Sequence, residues 1–177
     1  MILQQYKIVF AGTMGAGKTA AIEAISEIPV LNTEAVNTDV EANRKLSTTV
    51  GIDYGEILLD ENTKIGLYGT PGQQRFKFIW EMICKGTLGI ILLINHSEKD
   101  PVSLLDEYIQ VFSNMTNNIV IGITHLDEKS KLNTTMYREW EEKQPTSYPL
   151  FFLDARVKND VLFLVETLIA KAEIEES

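Results

Sequence analysis

Residues 12–19 read GTMGAGKT, a glycine-rich run that ends in Lys18 and Thr19. The spacing G-x-x-x-x-G-K-[ST] suits one chemistry, the holding of polyphosphate. From Gly12 through Thr13, Met14, Gly15, Ala16 and Gly17 the backbone can curl so that successive N–H groups point inward at phosphate oxygens. Lys18 supplies a cation for the β- and γ-phosphates, and the Thr19 hydroxyl is a hard oxygen ligand suited to Mg²⁺. A helix starting here aims the positive end of its dipole at the same point. A plain glycine turn capping a helix would have similar composition. This run, however, lies between the apolar strand YKIVFA (6–11) and the helical KTAAIEAISEI (18–28), the context a phosphate loop requires. By itself the motif separates neither ATP from GTP nor a kinase from a switch.

The elements that must position this loop follow from the hydrophobic pattern. Strands are expected at 6–11, 51–60, 63–69, 88–95, 119–124 and 149–155, with helices near 18–28, 74–84, 101–113, 134–144 and 160–174. The segment 30–48 is polar, lacks periodicity and reads as a long functional loop. Residues 60–62 (DEN) form a hairpin turn between the second and third strands. Runs of Val, Ile and Leu alternating with helices predict an α/β fold, a six-stranded, mostly parallel sheet with helices on both faces and one antiparallel edge strand. Ligands of such sheets bind at the carboxyl ends of the strands, and every motif in this chain falls at such an end.

The 177 residues fit one domain spanning 1–177. Hydrophobic residues (45%) and charged residues (23%) are in ordinary globular balance. A net charge of −9 argues against nonspecific binding to nucleic acid or anionic membrane, so an anionic ligand needs a local positive site and a metal. Cys84 is the sole cysteine, which rules out an intrachain disulfide. The start MILQQYKIVF lacks the pattern of a secretory leader, and LGIILLIN (88–95) is too short to span a bilayer; a cytoplasmic protein without an integral membrane segment is expected.

With STTVGIDY (47–54) and GTPGQQRF (69–76) added, the order and spacing resemble the Ras-like small GTPases over almost the whole chain. Within them the sequence is most similar to the bacterial branch containing the gliding-motility MglA group, which often has a non-acidic residue before x-P-G-Q. The resemblance implies a P-loop NTPase with a Ras-like G domain, GTP or GDP as ligand and Mg²⁺ as cofactor. It places Thr49, with Thr48 as the fallback, on the metal, and Gly72 against the γ-phosphate. Gln73 is the residue that orients the attacking water, with Lys18 stabilising the transferred phosphoryl group. The family's metal-orienting aspartate is here Gly69; Asp39 or Asp53 could substitute, or each could be an ordinary carboxylate.

ITHLDE (123–128) stands where the family recognises the base. Asp127 would accept hydrogen bonds from guanine N1–H and its N2 amine, a donor pair adenine lacks; capping of the next turn is the plainer role. Thr124 would steady the phosphate loop, and His125 replaces a lysine that lies on the base. LDARVK (153–158) matches the loop whose Ala155 N–H meets guanine O6, with Arg156 covering the base. The implied function is a GTP-hydrolysing switch, slow alone and stimulated by a protein partner, for which the MglA resemblance points to a roadblock-type dimer. A nucleotide-binding module with little hydrolysis is the alternative, motivated by Gly69, His125 and Met14. A small-acceptor kinase would need an arginine-rich lid, and Arg44, Arg75, Arg138 and Arg156 do not cluster.

Overall fold

The computed structural model describes residues 4–37, 48–126 and 133–177. Seven strands form one sheet: β1 (Gln4–Gly12), β2 (Leu31–Asn37), β3 (Thr48–Asp60), β4 (Thr63–Gly69), β5 (Gly89–Asn95), β6 (Ile119–Thr124) and β7 (Leu150–Phe152). Among the described residues five α-helices accompany them: α1 (Lys18–Ile25), α2 (Lys77–Cys84), α3 (Pro101–Phe112), α4 (Thr135–Glu142) and α5 (Lys158–Glu176). The strand order is β2-β3-β4-β1-β5-β6-β7. Only β3 runs against its neighbours, pairing antiparallel with both β2 and β4; the remaining pairings are parallel.

The expected six-strand count therefore becomes seven. The added strand, β2, lies in the first part of the polar segment read as a loop. Its sequence LNTEAVN has no apolar alternation to reveal it, because an edge strand can be held by its backbone ladder on one neighbour. The antiparallel strand is accordingly internal rather than at the edge.

Alternation along β1 divides the core. Ile8 and Phe10 face one side and pack with α1 and α5 through Ile22, Ile25, Leu164 and Leu168. Val9 and Ala11 face the other, against Trp80 of α2, Leu105 and Phe112 of α3 and Trp140 of α4. β5 and β6 are buried at nearly every position, as their unbroken apolar sequences require. The chain leaves β1 toward β4 on one side and reaches β5 on the other, so the loop after β1 sits at the topological switch point.

Candidate functional site

The loop that joins β1 to α1 is shaped by its glycines. Gly12 has φ +145°, and a Cβ there would lie 2.2 Å from the Leu93 carbonyl oxygen, so only glycine lets β1 turn beside β5. Ala16 is buried beneath the loop, and its carbonyl accepts the Thr124 hydroxyl at 2.7 Å. The Lys18 ammonium reaches back across the curl to the carbonyls of Gly12 (2.8 Å) and Thr13 (2.6 Å). Burial pulls its pKa down to about 8, with the Asp53 carboxylate pulling the other way. Met14 stands exposed at the loop's crest.

Thr19, at the start of α1, donates its hydroxyl proton to the Asp53 carboxylate. A hydroxyl that donates its proton keeps its lone pairs for a metal. Asp53 arrives there by strand register. It pairs with Gly69 on β4, and Gly69 in turn pairs with Phe10 on β1. A Cβ on Gly69 would lie 3.2 Å from the Asp53 Cβ and 3.5 Å from its Oδ2. A carboxylate therefore stands one strand over from Gly69, beside the place a β4 carboxylate would occupy. Among the described residues no three His, Cys, Asp or Glu side chains form a metal cage. Hard oxygen donors, with most of the shell left to phosphate and water, fit Mg²⁺. Asp39, the other candidate, lies outside the described residues. Thr49 and Thr48 lie in the β2–β3 ladder opposite Val36 and Asn37. The backbone of Thr49 is four residues, roughly 13 Å, along β3 from Asp53. The side chains of Thr48 and Thr49, the expected metal ligands, lie outside the described residues.

The loop after β4 lies directly on the phosphate loop. A Cβ on Gly72 would be 2.4 Å from the Met14 nitrogen and 2.9 Å from the Thr13 carbonyl carbon, so this approach needs glycine. Two aromatic side chains brace it from below. The buried Trp80 indole donates to the Pro71 carbonyl at 2.7 Å, and the Tyr108 hydroxyl donates to the Gly72 carbonyl at 3.3 Å. Gln73 follows in extended backbone, half-buried, and opens the short turn Gln74–Phe76. The Thr13 and Thr70 hydroxyl oxygens are buried without a partner among the described residues, leaving bonding capacity for ligand oxygens or water.

On the other flank, β6 ends in Thr124 and His125. His125 adopts φ +56°, and its Nε2 lies 2.8 Å from the Gly15 carbonyl, to which it donates. The ring is thereby tied to the phosphate loop, a role composition alone did not reveal. Asp127 lies outside the described residues. Ala155 packs against Gly17, where an added Cβ would come within 2.9 Å. Arg156 clasps Asp154 through Nε (2.9 Å) and Nη2 (2.7 Å), which holds the Asp154 carboxyl down at about 2. The Asp154 N–H is in turn accepted by Asp160 at 3.1 Å, fixing this loop to α5.

Two clefts result, one on each side of the phosphate loop, sharing Gly17, Ala20 and His125. One, about 520 Å³, is bounded by Thr124, Leu126, Ala155 and Arg156; the other, about 530 Å³, by Thr19, Asp53, Thr70 and Gly72. A base with ribose on one side and phosphates with a metal on the other would fit that division. A larger cleft of about 710 Å³ lies between α2 and α3, lined by Gln74, Trp80, Glu107 and Tyr108 and by none of the phosphate-loop residues. Sequence reasoning missed Asn32, which bonds Asp53, and the bracing by Tyr108; no local signal marks either. Trp80 and Phe76, weighed equally as core or as partner surface, are buried, whereas Phe78 is exposed. His96, expected on a surface turn, is half-buried with Nδ1 2.7 Å from the Tyr137 hydroxyl.

Known proteins can be set beside this geometry. Residues 30–150 match the family model described as "Conserved hypothetical ATP binding protein". Ras-related protein Rab-18-B of Danio rerio is 23% identical over 161 residues, covering 89% of this chain and 73% of that protein. An uncharacterized protein of Methanocaldococcus jannaschii is 30% identical over 95 residues, which is 53% of each chain. The G domain of the T. maritima FeoB iron transporter superposes with a TM-score of 0.64 at 18% identity, covering 96% of this chain and 99% of that one. No helix among the described residues is long and apolar enough to cross a membrane. The chain belongs to the conserved hypothetical ATP binding protein family, and its fold is that of a P-loop G domain.

Proposed function

We propose that this chain is a Mg²⁺-dependent switch that binds guanine nucleotide and hydrolyses GTP to GDP. The observation that carries this reading is the Thr19–Asp53 pair at the mouth of the phosphate loop, which restores in another strand the carboxylate that Gly69 lacks. Thr19 would hold the metal, and Asp53 would orient its surroundings. Mg²⁺, when bound, neutralises charge on the β- and γ-phosphate oxygens. Lys18 is poised by burial to gain a strong anionic partner, and Gly72 lies against the backbone of Thr13 and Met14, where its N–H would sense a γ-phosphate. Gln73 would orient the attacking water. Met14, exposed at the crest, would crowd that water or an incoming arginine, consistent with slow turnover that a partner accelerates.

Selection of guanine rests on Asp127, supported by the way Thr124 and His125 tie the end of β6 to the phosphate loop. The family's description favours a second reading, ATP as the ligand. Switching would come from the outer β2–β3 ladder, with Thr49 joining the metal in one of two states that the γ-phosphate distinguishes. The resemblance to the bacterial MglA group supports a cytoplasmic single G domain with a roadblock-type dimer as regulator. Single-turnover hydrolysis of GTP by the purified chain with Mg²⁺ tests the enzyme reading. Gln73→Leu should slow it at least tenfold while nucleotide binding persists. Equal rates for the two proteins would favour a binding module that does not hydrolyse.

A further inference from the structure

Asn32 lies on the edge strand β2, directly opposite Asp53 in the β2–β3 ladder. Its Nδ2 donates to Asp53 Oδ1 at 3.2 Å, while Asp53 Oδ2 accepts the Thr19 hydroxyl. An ionised carboxylate only accepts, so the amide nitrogen must face it. Gly51, two residues before Asp53 on the same face of β3, makes room for this contact. A Cβ there would lie 2.9 Å from Asn32 Oδ1 and 3.1 Å from Nδ2. One row across the sheet thus reads Asn32, Asp53, Gly69, with Thr19 above the carboxylate.

We propose that Asn32 is a positioning residue of the metal site: it orients the Asp53 carboxylate toward Thr19 and couples the placement of β2 to Mg²⁺ affinity. This rests on the reading of Thr19 and Asp53 as the metal's protein partners. Without Asn32 the carboxylate loses the bond that fixes one of its oxygens, and it can rotate away from Thr19. When β2 moves, the carboxylate loses the same bond, so a partner that grips the sheet edge changes metal affinity without touching the nucleotide.

The test is the Mg²⁺ dependence of binding of a fluorescent GDP analogue to the full chain, with EDTA as the metal-free arm. Asn32→Ala should raise the Mg²⁺ midpoint about tenfold, the low end for groups that orient a metal's surroundings. Affinity in EDTA and the thermal midpoint should stay at wild-type values, a pattern that general loss of structure would not give. Gly51→Ala, which keeps the asparagine but displaces its carboxamide, should shift the midpoint the same way. Wild-type midpoints in both variants, with Asp53→Asn shifted, overturn the role of Asn32 and leave the metal reading standing. A wild-type protein that binds the analogue equally with Mg²⁺ and with EDTA overturns the metal reading and this inference with it.

Discussion

Replacing Asp53 by asparagine removes one charge and almost no volume. The amide oxygen can still accept the Thr19 hydroxyl, so the fold of β3 and the mouth of the site should persist. What is lost is a carboxylate one hydrogen bond from the Thr19 hydroxyl, the proposed metal ligand. Groups in that relation to a metal typically contribute 10–100-fold in affinity, about 1.4–2.7 kcal/mol at 1.36 kcal/mol per decade. The loss should fall entirely on the Mg²⁺-dependent part of nucleotide binding. Titrating Mg²⁺ into protein and fluorescent GDP reads it as a midpoint shift, and the EDTA arm should show equal or slightly tighter binding because a negative charge near the phosphates is gone. Gly69→Asp is the informative companion. Its Cβ would lie 3.1 Å from Ile22 Cδ1 and 3.2 Å from the Asp53 Cβ, so in the wild-type background it crowds two carboxylates together. In the Asp53→Asn background it returns the charge to β4 and should recover part of the lost Mg²⁺ affinity. An Asp53→Asn midpoint within twofold of wild type would refute the substitution of one strand's carboxylate for another's.

Lys18 should make nucleotide binding pH-dependent. Its ammonium titrates near 8 in the ligand-free fold, below the ordinary 10.5, so the Lys18 contribution to phosphate binding should be constant below pH 7 and fall by up to about tenfold per unit above pH 8, with proton uptake there detectable by calorimetry in buffers of different ionisation heat. The same shift opposes folding below pH 8, where the buried group is charged, and is relieved as pH rises from 8 toward 10.5. Ligand-free wild-type protein should therefore gain stability relative to Lys18→Met across that window. Trp80→Phe leaves the Pro71 carbonyl buried without its donor, a cost of about 1–3 kcal/mol. That should lower the thermal midpoint by several degrees for a chain of this size, whereas an unchanged midpoint would show that the brace contributes nothing.

The phosphate loop was legible because it demands particular residues at fixed spacing: glycine where Gly12 meets the Leu93 carbonyl, then Lys18 and Thr19. β5 and β6 were legible because burial on both faces forces unbroken apolar runs. β2 was not, since an edge strand with one hydrogen-bonded neighbour needs no hydrophobic code. Missing β2 also hid Asn32, whose role exists only through its register with Asp53. The register of Asp53 against Gly69 in the β3–β4 ladder is likewise invisible to composition, whereas Asp39 lies outside the described residues. Helix α1 ends at Ile25 rather than running on toward Pro29, because Ser26 turns to extended backbone and its hydroxyl bonds the Ile28 carbonyl and the Glu56 N–H. Such long-range partners leave no trace in local propensity.

The most direct measurement is competition of unlabelled GTP, GDP and ATP against a fluorescent GDP analogue on the purified chain with Mg²⁺. GTP and GDP should displace it at similar concentrations and ATP should need at least about 100-fold more, as two hydrogen bonds to a charged acceptor imply, with the discrimination lost in Asp127→Ala. Displacement by ATP at the concentrations that suffice for GTP, or discrimination that survives Asp127→Ala, would contradict guanine selection by Asp127.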